Sequence, residues 1–434
     1  MVDNTPSSLP IVTDFNSNPY TALMHLLLCY SHRWRTLSLG SGVKASHLRP
    51  LERLTRADLP LLETVYIAKV ALLVEVTSSP DPSISPREDP TSFANLLPQL
   101  PSLRSLHSRP GCNLVVEIAS TYRRLTHLTV SLSIPPAAAL RQIALSCRGL
   151  STLTIQSFLY SSPGGAAAVL TPLKENHVNW PSLQELNLQL EGPGYYTGAY
   201  SSPAFHPVLR GTFDEIIAPQ LRRLFVQFGQ STSRPVKDTV PFQGFVARSP
   251  HLTHLYILGY NVLDPEALSQ CLQYTPSLTS LTVRPRMQFF SSRQEVRDLA
   301  RIPPTVIFPP PEWIPKFLSS LNGLGSCPEM ELFHCGGCTP VDINSIIEFV
   351  HEESRLSMLK HVRAELGFLG EEGVRAVTST TLKETLGTLR ETRGISVDLE
   401  WQVSETIQLD DPSKGMPIED SPWASDSSFN RPFE

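Results

Sequence analysis

One phrase recurs down most of this chain and leaves it few ways to fold. It reads SPHLTHLYI over residues 249–257, YRRLTHLTV over 122–130, RGLSTLTI over 148–155, PSLQELNL over 181–188, PQLRRLFV over 219–226 and PSLTSLTV over 276–283. The shared form is L-x-x-L-x-L. In the copy built on Leu150, Leu153 and Ile155, the last two share one face of a strand and Leu150 closes the turn that enters it. Thr152, Thr154 and Gln156 then point the other way. A single unit of this kind cannot bury its own apolar face, so the units must stack on one another.

Between copies the spacing turns helical. Asp264, Pro265 and Glu266 supply an N-cap, a proline at the first helical position and an early carboxylate, and Leu268, Cys271 and Leu272 follow at helical spacing. The same reading covers PPAAALRQIALSC before Arg148, FDEIIA before Pro219, PFQGFVAR before Ser249 and DINSIIEFVHEESRL before Met358. Looser copies extend the array: WRTLSL, PLLETVYI and PSLRSLH come earlier, EMELFHC and MLKHVRA later, with ISVDLEW as a closing strand. Successive phrases lie about 22 to about 50 residues apart, wider than the 20–29 residues of a regular leucine-rich repeat.

The expected fold is therefore α/β, an irregular leucine-rich-repeat solenoid with a curved parallel sheet on one face and helices on the other. It spans residues 20–408, after a lead-in over 1–19 and before an acidic, disordered tail over 409–434. Residues 78–91, 161–165, 191–207 and 284–311 break the pattern and are expected as loops. Tyr195 and Tyr196 lie in the third of these, placed either to pack on the neighbouring repeat or to touch a partner.

Composition narrows the function classes. A net charge of −5 gives no electrostatic case for nucleic acid. No apolar run is long enough to span a bilayer, so no membrane partner is expected. Seven cysteines without framework spacing predict reduced thiols in the cytoplasm or nucleus. Proline, at 39 of 434 residues, is in excess and marks strand entries and loops.

Enzyme signatures fail one by one. The stretch from Leu39 to Lys44 (LGSGVK) lacks the spacer and ending of a phosphate loop, and HEESR has Arg355 where a zincin helix needs its second histidine. There is no G-x-S-x-G elbow, and no carboxylates are paired by a motif. No catalytic residue and no cofactor is expected; an enzyme whose site is assembled from loops is the alternative. Cys335, Gly336, Gly337 and Cys338 form a C-x-x-C knuckle, with Cys327 and His334 near in sequence. Structural zinc takes two such pairs and only one is present, while Met330, Phe333 and Cys335 fill the three phrase positions, so no metal is expected.

The outward strand positions remain as a binding surface. Among them are Tyr66, His107, His127, Thr129, Asn187, Gln189, Arg284 and Arg363, and aromatic and arginine residues dominate binding energy at interfaces. Arg223, Phe225, His254 and Tyr256 fall on two consecutive repeats and are the expected centre of a partner site. The bland alternative is an ordinary solvated sheet face.

The alternation of helix and L-x-x-L-x-L phrase resembles the repeat half of F-box leucine-rich-repeat proteins. NPYTALMHLLLCYSHRWRTLSL over residues 18–39 is similar to the large F-box families of mushroom-forming fungi, with Trp34, Arg35, Leu37 and Leu39 matching their WR-x-L-x-L phrase. The resemblance covers residues 7–401 and implies a non-catalytic substrate receptor for a cullin-RING ubiquitin ligase, its partner a protein substrate. An F-box would be a helical segment opening with an LPxE-like phrase, and repeat grammar here begins by about Tyr20. The segment that docks a Skp-family adaptor is thus not expected in this chain, which would be a receptor remnant, a truncated gene product or a standalone binding protein.

Overall fold

The parallel sheet follows from where the apolar residues of each phrase go. The computed structural model describes residues 19–39, 51, 53–67, 96–108, 122, 124–132, 140, 143–158, 178–191, 213–214, 216–228, 240–259, 263–284, 312–324, 327–351, 358–366 and 379–401. Its strands are β1 (Thr36–Leu39), β2 (Thr64–Ile67), β3 (Ser105–Ser108), β4 (His127–Leu132), β5 (Thr152–Phe158), β6 (Val178–Asn179), β7 (Glu185–Glu191), β8 (Ile216–Ile217), β9 (Arg223–Phe228), β10 (His254–Leu258), β11 (Ser280–Arg284), β12 (Leu332–Cys338), β13 (His361–Leu366) and β14 (Ser396–Trp401). All but β6 and β8 join one twelve-stranded sheet in chain order, and each neighbouring pair is parallel. The structure is thus α/β with a large parallel sheet.

Inward positions are shut from solvent: Leu153, Ile155, Leu186, Leu188, Leu255 and Ile257 share one core with helix residues such as Phe245, Leu268 and Cys271. Each such side chain contributes roughly 1.5–3 kcal/mol of burial. The opposite positions alternate with them in exposure along β3, β10 and much of β13. Parallel sheets are normally apolar on both faces, so this one-sided alternation is the property that makes the other face interesting.

A second regularity runs along the strand entries. The carbonyl of Arg222 accepts from the amides of both Thr253 and His254, and the carbonyl of Thr253 accepts from both Thr279 and Ser280. The same forked step starts at Arg35 and is repeated through Glu63, Arg104, Thr126, Ser151, Gln184, Thr279 and Glu331. Where the residue after the first leucine is Ser or Thr, its hydroxyl adds a third donor: Ser151 Oγ to Thr126 O at 3.0 Å, Thr253 Oγ1 to Arg222 O at 3.0 Å and Thr279 Oγ1 to Thr253 O at 3.0 Å.

The helices used below are α1 (Pro19–Leu28), α2 (Val240–Ala247), α3 (Pro265–Leu272), α4 (Trp313–Leu324), α5 (Pro340–His351) and α6 (Thr380–Arg393). Asp264 caps α3 as its position implies, Oδ2 accepting from Ala267 N at 3.0 Å, with Pro265 at the first helical position. Thr339 and Asp342 cap α5 reciprocally. An aromatic column ties helices to sheet, from Trp313 and Phe317 of α4 through Phe333 of β12 to Phe349 of α5. Among the described residues, no helix is long and apolar enough to cross a membrane.

The strand phrases from WRTLSL to ISVDLEW fall on the strands of the large sheet, and PFQGFVAR and DINSIIEFVH fall on α2 and α5. FDEIIA is corrected in its second half, Phe213 and Asp214 being helical as expected. Ile216 and Ile217 form β8, paired in parallel with Val178 and Asn179 of β6, and Trp180 N donates to Ile217 O at 2.9 Å. Two β-branched isoleucines beside an equally extended neighbour favour a ladder over a helical turn. The loop 78–91, the loop 161–165, Tyr195, Tyr196, Glu352, Arg355 and the tail from residue 409 lie outside the described residues.

Candidate functional site

Register places the outward side chains in rows across the strands. One row runs Tyr66, His107, Thr129, Thr154, Asn187, Phe225, Tyr256, Thr282, His334, Arg363 and Asp398. Its neighbour runs from Glu185 through Arg223, His254 and Ser280. Side chains four to five ångströms apart across strands interact directly, so a row is the unit of chemistry on this face.

The four residues expected at the centre of a partner site do come together, but not as one exposed patch. Phe225 and Tyr256 stack with ring centroids 4.6 Å apart and 16° between planes. Phe225 is left only 5% exposed, so it supports Tyr256 and offers almost no surface of its own. Arg223 is exposed and lies 4.0 Å from Glu185, a pair of little energetic weight in solvent. His254 is half-buried, its Nδ1 2.9 Å from Thr253 Oγ1, and burial followed by the Arg223 charge lowers its pKa.

Two residues further along the strands, beside this row, the outward face carries charge. Arg284 donates through one guanidinium nitrogen to Tyr256 Oη at 3.3 Å and through the other to Glu365 Oε2. His334 Nε2 lies 3.0 Å from Glu365 Oε1 and, facing a carboxylate, acts as the donor. Glu365 is only 5% exposed. Burial alone would raise its pKa, but the His334 hydrogen bond and the Arg284 guanidinium outweigh it and hold the carboxyl below the ordinary range. Burial likewise works against the Arg284 charge, and Tyr256 and Glu365 more than offset it.

Gly336 makes this connection possible. Arg284 sits on β11 and Glu365 on β13, so their side chains must meet over β12. The β12–β13 register shifts between Cys335 and Cys338, and Gly337 there has φ of 70°. A Cβ on Gly336 would stand 3.1 Å from Arg284 Cγ and 3.3 Å from Glu365 Oε2. The two glycines of the C-x-x-C phrase are therefore a bulge beneath an ion pair. Cys335 and Cys338 both turn into the core, fully buried, with Cys338 Sγ 3.6 Å from Cys335 O, and burial first of all pushes the Cys335 thiol up. His334 faces the opposite side, and Cys327 Sγ points to Thr275 Oγ1 at 3.9 Å, its thiol pushed up to about 12 by burial. Among the described residues no three potential metal ligands converge.

A second polar cluster occupies the other end of the row. Tyr66 stacks on His107 at 4.4 Å, and the imidazole is bracketed by Ser105 Oγ at 2.8 Å and Thr129 Oγ1 at 3.0 Å. Burial, then the nearby His127, lowers the His107 pKa to about 4. A serine hydroxyl on an imidazole is half of a nucleophilic pair, but a base this weak draws little on the serine proton at neutral pH. The arrangement fixes a neutral ring.

His334 and Glu365 enter the site although sequence spacing gave them no part on this face. The readable signal was Gly336-Gly337, two small residues at positions where other phrases carry side chains. No family model matches the chain, and no curated protein matches it.

Proposed function

We propose that this chain is an irregular leucine-rich-repeat solenoid that binds a partner protein on the outward face of its sheet. The centre of the site is Tyr256 with Arg284, flanked by Arg223 and His254. The observation that carries the reading is the mutual bracing of Phe225, Tyr256, Arg284, Glu365 and His334, which fixes an aromatic ring and a guanidinium before any partner arrives. Side chains held in this way lose little entropy on binding, and tyrosine and arginine are the residue types that anchor interfaces. The resemblance to fungal F-box leucine-rich-repeat proteins supports substrate recognition for a ubiquitin ligase as the setting.

The test is affinity capture from cell extract with the wild-type chain, an Arg223→Ala/Tyr256→Ala variant, and Lys383→Ala on α6 as control. Proteins retained by wild type and control should fall at least tenfold with the double variant, its urea midpoint staying close to wild type. Equal retention by all three would remove this face from consideration. Retention of a Skp-family adaptor by the double variant as well as the wild type would place adaptor contact elsewhere on the chain.

A further inference from the structure

Charge is not spread evenly along the chain. Residues 19–158, which carry β1 to β5, hold 14 Lys and Arg against 8 Asp and Glu, whereas residues 159–434 hold 22 against 31. In the described part of the first stretch every Lys or Arg position is an arginine, and the acids are Asp58 and Glu63. Asp58 is already engaged, its Oδ2 accepting from Thr55 N at 2.8 Å and from Thr55 Oγ1 at 2.6 Å. A chain that is acidic as a whole thus has a basic first portion.

Several of these arginines collect where the strands enter the sheet. Arg104 and Arg124 stand at the entries of β3 and β4, strands paired in parallel, and both are exposed. Arg124 Nη1 donates to Pro101 O at 2.8 Å, and Arg104 Nη1 donates to Arg124 O at 3.2 Å. These braces are neutral carbonyls, and among the described residues neither guanidinium meets a carboxylate. Each keeps most of its N–H donors for another acceptor. Exposed Arg148 stands in the turn before β5, and exposed His127 opens β4. The later strands handle their cations differently: Lys360 meets Glu331 at 3.0 Å, and Arg363 meets Glu400.

We infer that this entry edge, from Arg104 through Arg124 to Arg148, takes an acidic segment of a partner protein, rich in Asp and Glu. Carboxylates suit it, because a guanidinium donates to them as a planar fork. Three neighbouring strands span about 10 Å, the reach of three extended residues, so a short run of adjacent acids covers the edge. Nucleic acid suits it less. A polyanion longer than the edge would run on over the acid-rich remainder, whereas a short peptide stays within the basic portion, and screening beyond about 8 Å at physiological salt lets the local charge decide. The edge at β3 is five strand steps, about 24 Å, from Tyr256 on β10, so it does not rest on the reading of the face centred there.

The experiment titrates the full chain into fluorescein-labelled octaglutamate and follows polarisation. Wild type and a Lys383→Gln/Arg390→Gln control on α6 should bind alike, and Arg104→Gln/Arg124→Gln should bind about fivefold more weakly, as the loss of two exposed contacts implies. Binding by wild type should all but vanish in about 1 M salt, where the Debye length is about 3 Å. Arg104→Lys/Arg124→Lys keeps the charge but alters the carbonyl braces, and should stay within about twofold of wild type. Three results overturn the inference. If the lysine pair falls as far as the glutamine pair, the two arginines hold the shape of the edge and not the peptide. If control and glutamine pair weaken binding equally, or wild type does not bind, no acidic-segment site lies here. If oligothymidylate of equal charge binds more tightly than octaglutamate and is equally sensitive to the glutamine pair, the edge belongs to nucleic acid.

Discussion

Tyr66 with His107 and Phe225 with Tyr256 are stacked pairs in the same row of the same sheet, at 4.4 Å and 4.6 Å, yet they lead to different chemistry. The first pair ends in hydroxyls, Ser105 and Thr129, around a ring kept neutral by burial. The second ends in ions, Arg284 and Glu365, with His334 as the outer donor. The same row geometry can thus be finished in two ways. A neutral finish is self-contained; an ionic one leaves a guanidinium and a phenol ring held at the surface and depends on every member being present.

The largest effect should come from removing one ion. Arg284→Ala leaves Glu365 nearly enclosed with only His334, and stability at pH 7 should fall by about 3 kcal/mol in urea unfolding. Arg284→Met with Glu365→Leu removes both charges and should restore most of that loss, because a buried pair is worth little against a well-packed apolar replacement. If the single and double variants are equally unstable, the ionic finish is not what holds the second pair.

Acid should separate the two regions next. An unfolded chain protonates His107 near 6.5 and the native chain only near 4, so between those values the unfolded state holds more protons and stability falls as pH falls. Allowing for partial exposure of the ring, the loss is on the order of 2 kcal/mol. His107→Gln keeps a donor and an acceptor and should flatten that part of the profile, apart from the same-signed contribution of His254. Glu365 has its carboxyl held down, so its contribution is present above the ordinary glutamate value of 4.5 and is lost only as pH falls below it. Unfolding midpoints at half-unit pH steps would show the neutral region yielding before the ionic one; the reverse order would break the comparison.

Much of this architecture was legible because the inward positions of each phrase are apolar, and burial acts on them one strand at a time. The row contacts were not, since they join residues far apart in sequence. Arg284 reads as outward-facing, but its partner lies 81 residues further on, over an intervening strand. Phe225 reads as a surface aromatic because alternation reports direction; its enclosure under Tyr256 depends on cross-strand register. FDEIIA shows the opposite failure, in which a short apolar run with an acidic start suited a helix until the neighbouring Val178 and Asn179 offered a ladder.

Gly336→Ala probes the bridge between chemistry and backbone. The new methyl would stand 3.1 Å from Arg284 Cγ, so the guanidinium must shift by a few tenths of an ångström, at a cost of about 1 kcal/mol. In the Arg284→Met/Glu365→Leu background the same substitution should cost less, since methionine keeps the Cγ but no ion pair anchors it and the side chain can swing away. Equal costs in the two backgrounds, by urea unfolding, would mean that the bulge itself, and not the ion pair above it, requires glycine.

The smallest effect belongs to what the two regions share. Thr253→Val removes the hydroxyl that donates to Arg222 O at 3.0 Å, but the amides of Thr253 and His254 still reach the same carbonyl, so no buried acceptor is orphaned. The loss should be about 0.5 kcal/mol. Ser151→Ala, at the equivalent place beside the neutral region, should match it within error, because Thr126 O likewise keeps the amides of Ser151 and Thr152. Equality of the two, measured by urea unfolding, would show that the strand entries form a common frame and that the regions differ only in what the outward rows carry. A clear inequality would mean that the entry hydroxyls are coupled to the rows, as the 2.9 Å approach of Thr253 Oγ1 to His254 Nδ1 would then explain.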